Sequence, residues 1–102
     1  MTYKVVVSPR AQKEIENAID FYALHSVDAP LKFIAALNDA YETLKINPFF
    51  RVSYKNIRSL KTHTFPTALF FVVQEELLTV RILACFHHSR NPVNRPFGKD
   101  EI

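Results

Sequence analysis

Two runs decide how this chain is read: Ala68-Leu69-Phe70-Phe71-Val72-Val73 and Val80-Arg81-Ile82-Leu83-Ala84-Cys85-Phe86. Both are apolar at nearly every position rather than at every second one, and both are rich in β-branched and aromatic residues. That pattern predicts central strands covered on both faces. The polar Gln74-Glu75-Glu76-Leu77 between them predicts a hairpin turn. The register that follows sets Val73 opposite Leu78, Phe65 opposite Phe86 and His63 opposite His88. Central strands need neighbours and cover, so the rest of the chain must supply both.

Working outward, three strand-like runs, about Tyr54 to Leu60, His63 to Val73 and Leu77 to Phe86, predict an antiparallel meander. Upstream, Ser8-Pro9 offers an N-cap and a first-turn proline for a helix running to about His25, with its apolar stripe at Ala11, Ile15, Ala18, Ile19 and Tyr22. Ser26 to Ala29 breaks the chain. Pro30 then opens a second helix striped by Phe33, Ile34, Leu37, Ala40, Tyr41 and Leu44, and Pro48 stops it at Asn47. Two short amphipathic helices make an antiparallel hairpin that cannot bury both stripes alone, so it must pack on the sheet. Lys4 to Val7 reads as a further strand. The expected class is α+β in the order β-α-α-β-β-β: a helical hairpin on a small, twisted, mainly antiparallel four-stranded sheet.

Length and composition fit one domain over residues 1–96, with 97–102 expected as a flexible tail. The chain has 102 residues, 48% of them hydrophobic, enough for one compact core. The N-terminus lacks the apolar region of a signal peptide and no stretch approaches the roughly 18 apolar residues of a membrane span, which predicts a cytoplasmic protein with no membrane partner. Cys85 is the only cysteine and sits in an apolar run, so a buried, inert thiol is expected and a zinc site is not. Gly98 is the only glycine, which excludes phosphate loops and dinucleotide fingerprints, so no cofactor is expected; the His63–His88 pair lacks a third ligand or a carboxylate, so no metal is expected either. A net charge of +3 favours an acidic partner without distinguishing protein from nucleic acid.

The order of these features resembles the RelE/ParE superfamily of toxins from type II toxin–antitoxin systems, of the ParE-like, plasmid stabilization type. The resemblance rests on Ser8-Pro9 with Ala11 and Ile15, on Arg58 and Leu60 before the next strand, on Phe65-Pro66 leading into Phe70-Phe71-Val72, and on His87 followed by Ser89-Arg90-Asn91-Pro92. It covers residues 3 to about 96. It implies a bacterial growth inhibitor neutralised by a cognate acidic antitoxin, with DNA reached only indirectly through that antitoxin. RelE-like members cut messenger RNA on the ribosome and ParE-like members inhibit DNA gyrase, so the fold alone does not fix the activity.

Metal-free RNA cleavage needs an acid, a base and cations for the phosphorane charge. The nuclease reading would use Arg58, Lys61, His87 and Arg90. RelE-like nucleases also carry an arginine early in the third strand and a tyrosine near the C-terminal end. Here the first position falls at Thr67 or Ala68, and no tyrosine follows Tyr54. Those departures favour a ParE-like protein binder over the alternative of a ribosome-dependent endoribonuclease, with a non-toxic antitoxin-binding relic as a further alternative. Arg58, Lys61, His63, His87, His88, Arg90 and Arg95 are the candidates for contact with the target or the antitoxin. His87 and His88, being adjacent on a strand, point to opposite faces. Arg81 is expected to lay its stem along Leu83 and Cys85 and to pair with Glu75 or Glu76.

Overall fold

The computed structural model describes residues 2–50 and 52–87. Strand β1 (Lys4–Val7) leads into helices α1 (Pro9–Ala23) and α2 (Ala29–Ile46). Four strands follow: β2 (Val52–Tyr54), β3 (Ile57–Lys61), β4 (Thr67–Gln74) and β5 (Thr79–His87). The sheet order is β1-β5-β4-β3-β2, with β1 parallel to β5 and every other neighbour antiparallel. The class is the expected one. Among the described residues the strands number five rather than four, because Lys55 takes a left-handed conformation (φ 51°) and folds the Tyr54 region into a short hairpin of its own. Among the described residues no helix is long and apolar enough to cross a membrane.

The helices begin and end where their residues dictate. Ser8 is the N-cap of α1: its Oγ accepts from the Ala11 amide at 3.2 Å, and Pro9 supplies the preset first turn. Asn47 is extended, as the residue before Pro48 must be. On α1 the predicted stripe is buried, with Ile19 half-buried against it. On α2 one position changes: Ile34 is exposed and Ala36 takes the buried place, so α2 is rotated relative to the periodicity reading. Tyr22, Phe33 and Phe65 close the top of the core as three mutually tilted rings, with centroids 4.9 to 5.4 Å apart. Beneath them the Tyr22 hydroxyl meets Thr67 Oγ1 at 3.2 Å.

Register is where the structure departs most from expectation. Glu75–Leu77 form a single 3-10 turn closed by Leu78 in left-handed geometry, so the turn consumes more residues and Val73 faces Val80 rather than Leu78. A second shift comes from a β-bulge: Phe71 faces Ile82 while Phe70 faces Ala84, which leaves Leu83 as the extra residue. Phe86 therefore faces Ala68, not Phe65, and strand β4 starts at Thr67, leaving His63 in the preceding turn. The bulge also inverts the alternation of β5. Val80 and Ile82 join the helix-side core, whereas Ala84 and Phe86 join a second cluster with Ala68, Phe70 and Ile57 on the opposite face.

The bulge depends on α1. Ser8 donates through its amide to Ile82 O at 3.0 Å and through Oγ to Leu83 O at 3.2 Å. Replacing Ser8 with alanine removes both the helix cap and the bond to the bulge. Ser8→Ala is expected to destabilise the protein by about 1–2 kcal/mol, read as a lower urea midpoint with an unchanged m-value.

Candidate functional site

Arg58 faces the helices, because it stands opposite Phe71 in an unbroken β3–β4 ladder. Its guanidinium lies beneath the segment that crosses from α2 to β2. Nη1 donates to Phe50 O at 2.6 Å and Cζ sits 5.3 Å from the centroid of the Phe49 ring. The segment is anchored further by the fully buried Pro48 and by an edge-on contact of Phe49 with Tyr3, 6.1 Å between centroids. A planar fork of donors suits this task, since one nitrogen can bind a carbonyl while the plane lies over a ring. Arg58 is thus a fastener for the crossing segment.

Lys61 faces the other way. It stands opposite Ala68, on the side shared by Phe70 and by Ser59, whose hydroxyl accepts from Ser53 at 2.9 Å. Residues three apart on a regular strand must lie on opposite faces, so Arg58 and Lys61 do not form one phosphate-binding pair. That spacing was visible in the sequence and was the signal to use. Arg81 stands opposite Val72 on the Lys61 side, exposed, while Cys85 lies on the helix side because of the bulge. Among the described residues Arg81 makes no ion pair with Glu75 or Glu76; the described ion pairs are Arg10–Glu14 and Glu42–Lys45.

His63 is exposed in the turn between β3 and β4, which is closed by Thr62 bonding Thr67 O through its amide and its hydroxyl. His63 therefore lies outside the β4–β5 ladder. Thr67 now faces His87, the last residue of β5. His88, Arg90 and Arg95 lie outside the described residues. Among the described residues no three of His, Cys, Asp and Glu gather as a metal site.

A polar arrangement that the sequence reading missed surrounds Cys85. Its amide, turned away from β4 beyond the end of β1, donates to Glu14 Oε1 of α1 at 2.9 Å, and the other carboxylate oxygen binds Arg10 at 3.3 Å. The Cys85 thiol is buried. Burial and the nearby Glu14 carboxylate push the thiol up to about 12. Burial likewise pushes Tyr41 up to about 12 and raises Tyr22. Such a thiol stays protonated and is no nucleophile at neutral pH.

Charge divides between the two layers. The sheet and its turns present Lys4, Lys55, Lys61 and Arg81 as exposed cations, against Glu75 and Glu76 at one turn. On the two helices and their turn the exposed charges are Glu16, Asp20, Asp28, Asp39 and Glu42 against Arg10, Lys13 and Lys32, and over residues 16–40 Lys32 is the sole exposed cation.

This architecture is that of toxins from toxin–antitoxin systems. A chain of a chromosomal ParDE system from P. aeruginosa superposes with a TM-score of 0.69 at 17% identity, covering 83% of this chain and 95% of that one. A chain of the RelBE2 toxin–antitoxin complex from Mycobacterium tuberculosis gives 0.61 at 18%, covering 85% and 99%. A mutant of the E. coli toxin RelE in the free state gives 0.53 at 16%, covering 91% and 90%. At these identities the likeness concerns the fold. No curated protein sequence matches significantly. The family model described as the ParE toxin of the type II toxin–antitoxin system parDE matches residues 5–92. The chain belongs to that family, and it is the toxin component of a type II system.

Two outcomes follow from this geometry. Arg58→Ala should cost about 1–3 kcal/mol of stability by stripping the Phe50 carbonyl of its charged donor, and Arg58→Lys should restore little of it; a midpoint left unchanged by both would show that the fastener is idle. The second concerns alkali. The unfolded thiol titrates at 9.0 and unfolded tyrosine at 10.0, whereas folded Cys85 and Tyr41 titrate at about 12. Below the unfolded values neither state ionises. Above them the unfolded chain loses its protons first, so stability falls as pH rises from the unfolded values toward about 12. Chemical denaturation in Cys85→Ala should show that decline starting near the tyrosine value instead of the thiol value.

Proposed function

We propose that this toxin arrests growth by binding a protein target, DNA gyrase, rather than by cutting RNA, and that a cognate acidic antitoxin holds it in check. The observation that carries this reading is the orientation of Arg58. A nuclease of this fold would need cations converging on one scissile phosphate, and Arg58 is spent on Phe50 O and the Phe49 ring, on the opposite side of the sheet from Lys61. The strand position opposite Lys61 is Ala68, which contributes no charge. Electrostatic stabilisation of a phosphorane falls away when its donors are not preorganised around it.

Similarity to chains of the ParDE and RelBE2 complexes supports an antitoxin as the second partner. The cations of the sheet layer suit an acidic antitoxin segment, and association between exposed opposite charges weakens as salt screens it. DNA would be reached through the antitoxin alone.

The deciding experiment sets purified toxin against two substrates: negative supercoiling by gyrase, and ribosome-bound messenger RNA. The expected result is loss of supercoiling with the message intact. Cleaved message with supercoiling untouched would overturn the reading in favour of a ribosome-dependent endoribonuclease.

A further inference from the structure

The turn joining the two helices is apolar where turns are ordinarily polar. Leu24 is 84% exposed, Val27 91% and Leu31 67%, and Ile34 one turn further along α2 is 38% exposed. None of these side chains is used by the core. The backbone that carries them is nevertheless tied by hydrogen bonds. Leu24 and His25 close the end of α1 by donating to Phe21 O and Tyr22 O, and the His25 ring packs on Phe21 at 4.7 Å. Ser26 Oγ accepts from the Ala29 amide and so fixes the start of α2. Directly behind stand the interlocked rings of Tyr22, Phe33 and Phe65. An apolar cluster on a hydrogen-bonded turn loses less backbone entropy when it is covered than one on an open loop.

The charge around this tip gives the kind of partner. Asp20 and Asp28 border it directly, and Glu16 and Asp39 follow on the two helices, against the single cation Lys32. That is the reverse of the sheet layer, whose exposed charge is mainly positive, so an acidic partner suited to the sheet is repelled here.

We propose that the hairpin tip, with Leu24, Val27 and Leu31 at its centre and Asp20 and Asp28 on its rim, is the surface by which the toxin docks on its protein target. The complementary site is an apolar groove bordered by lysine and arginine. The inference rests on the reading of the chain as a protein-binding toxin and adds to it the surface and the chemistry. It gives the toxin two separate faces, a basic sheet for the acidic antitoxin and an acid-rimmed apolar tip for the target.

The test compares wild type with the triple variant Leu24→Ser, Val27→Ser, Leu31→Ser and with Asp20→Asn, Asp28→Asn, both co-expressed with the antitoxin to keep them soluble. Growth arrest, inhibition of purified gyrase, antitoxin affinity, thermal midpoint and mass in solution are measured for each. The triple variant should need at least about tenfold more protein to inhibit gyrase, as expected for the loss of central apolar anchors, and should fail to arrest growth, with midpoint and antitoxin affinity unchanged. The charge variant should weaken inhibition several-fold at low salt and little at high salt. A triple variant as inhibitory as wild type overturns the inference and leaves the functional reading standing. So does loss of antitoxin binding, which would make the tip part of that interface, and so does a wild-type dimer that the triple variant breaks, which would make a second copy the occupant. A wild type that neither arrests growth nor inhibits gyrase overturns the functional reading itself, and this inference with it.

Discussion

Strand β5 holds the molecule together, and its dependence on α1 is the constraint from which the rest follows. It is paired along its length with β4 and over its first half with β1, which ends opposite Ile82. Past that point the open edge would leave backbone groups of a largely buried strand without partners, at a cost of about 1–3 kcal/mol each. Helix α1 answers this from its first turns: Ser8 takes Leu83 O and Glu14 takes the Cys85 amide. The side chains of a helix do there what another strand would otherwise do, and the helix is fixed in position over the sheet as a result.

The bulge at Leu83 turns this local arrangement into a global one. By adding one residue to β5 it exchanges the faces of everything that follows, so one strand feeds the helix-side core with Val80, Ile82 and Cys85 and the opposite cluster with Ala84 and Phe86. Both faces of the sheet are thereby apolar in the middle. The charges are left to the margins: Arg81 and Lys61 on one side, and Arg58 turned inward beneath Phe49 and Phe50. The fold is thus given a basic sheet layer and an acid-bordered helical hairpin, two surfaces of opposite preference on a chain of modest net charge.

The legible parts of the fold were those set by short-range rules. Ser8-Pro9 and Asn47-Pro48 mark helix ends through capping and proline sterics, and the structure has them there. The stripe of α1 was right to the residue, whereas that of α2 misplaced Ile34 and Ala36, since a helix rich in alanine and other apolar residues has no sharply defined buried face. The short hairpin at Lys55 escaped notice because a left-handed turn without glycine or asparagine at that position carries no sequence signature. Of the candidate site, the separation of Arg58 from Lys61 was implicit in their odd spacing, and the parts played by Ser8 and Glu14 at the bulge were not visible at all. Ser8 reads as an ordinary helix cap and Glu14 as an ordinary acid on the helix surface until the strand they meet is known.

Hydrophobic period and residues a few positions apart were enough to give the α+β class, the helical hairpin between a first strand and a later meander, the cap at Ser8 and the stop before Pro48, and the two central strands. Which residues face one another across β4 and β5, which side each cation occupies and how the Cys85 amide is satisfied emerge from packing alone. Strand registry is a long-range quantity. One extra residue at a bulge among uniformly apolar neighbours changes no local preference, yet it moves every later side chain to the other face of the sheet.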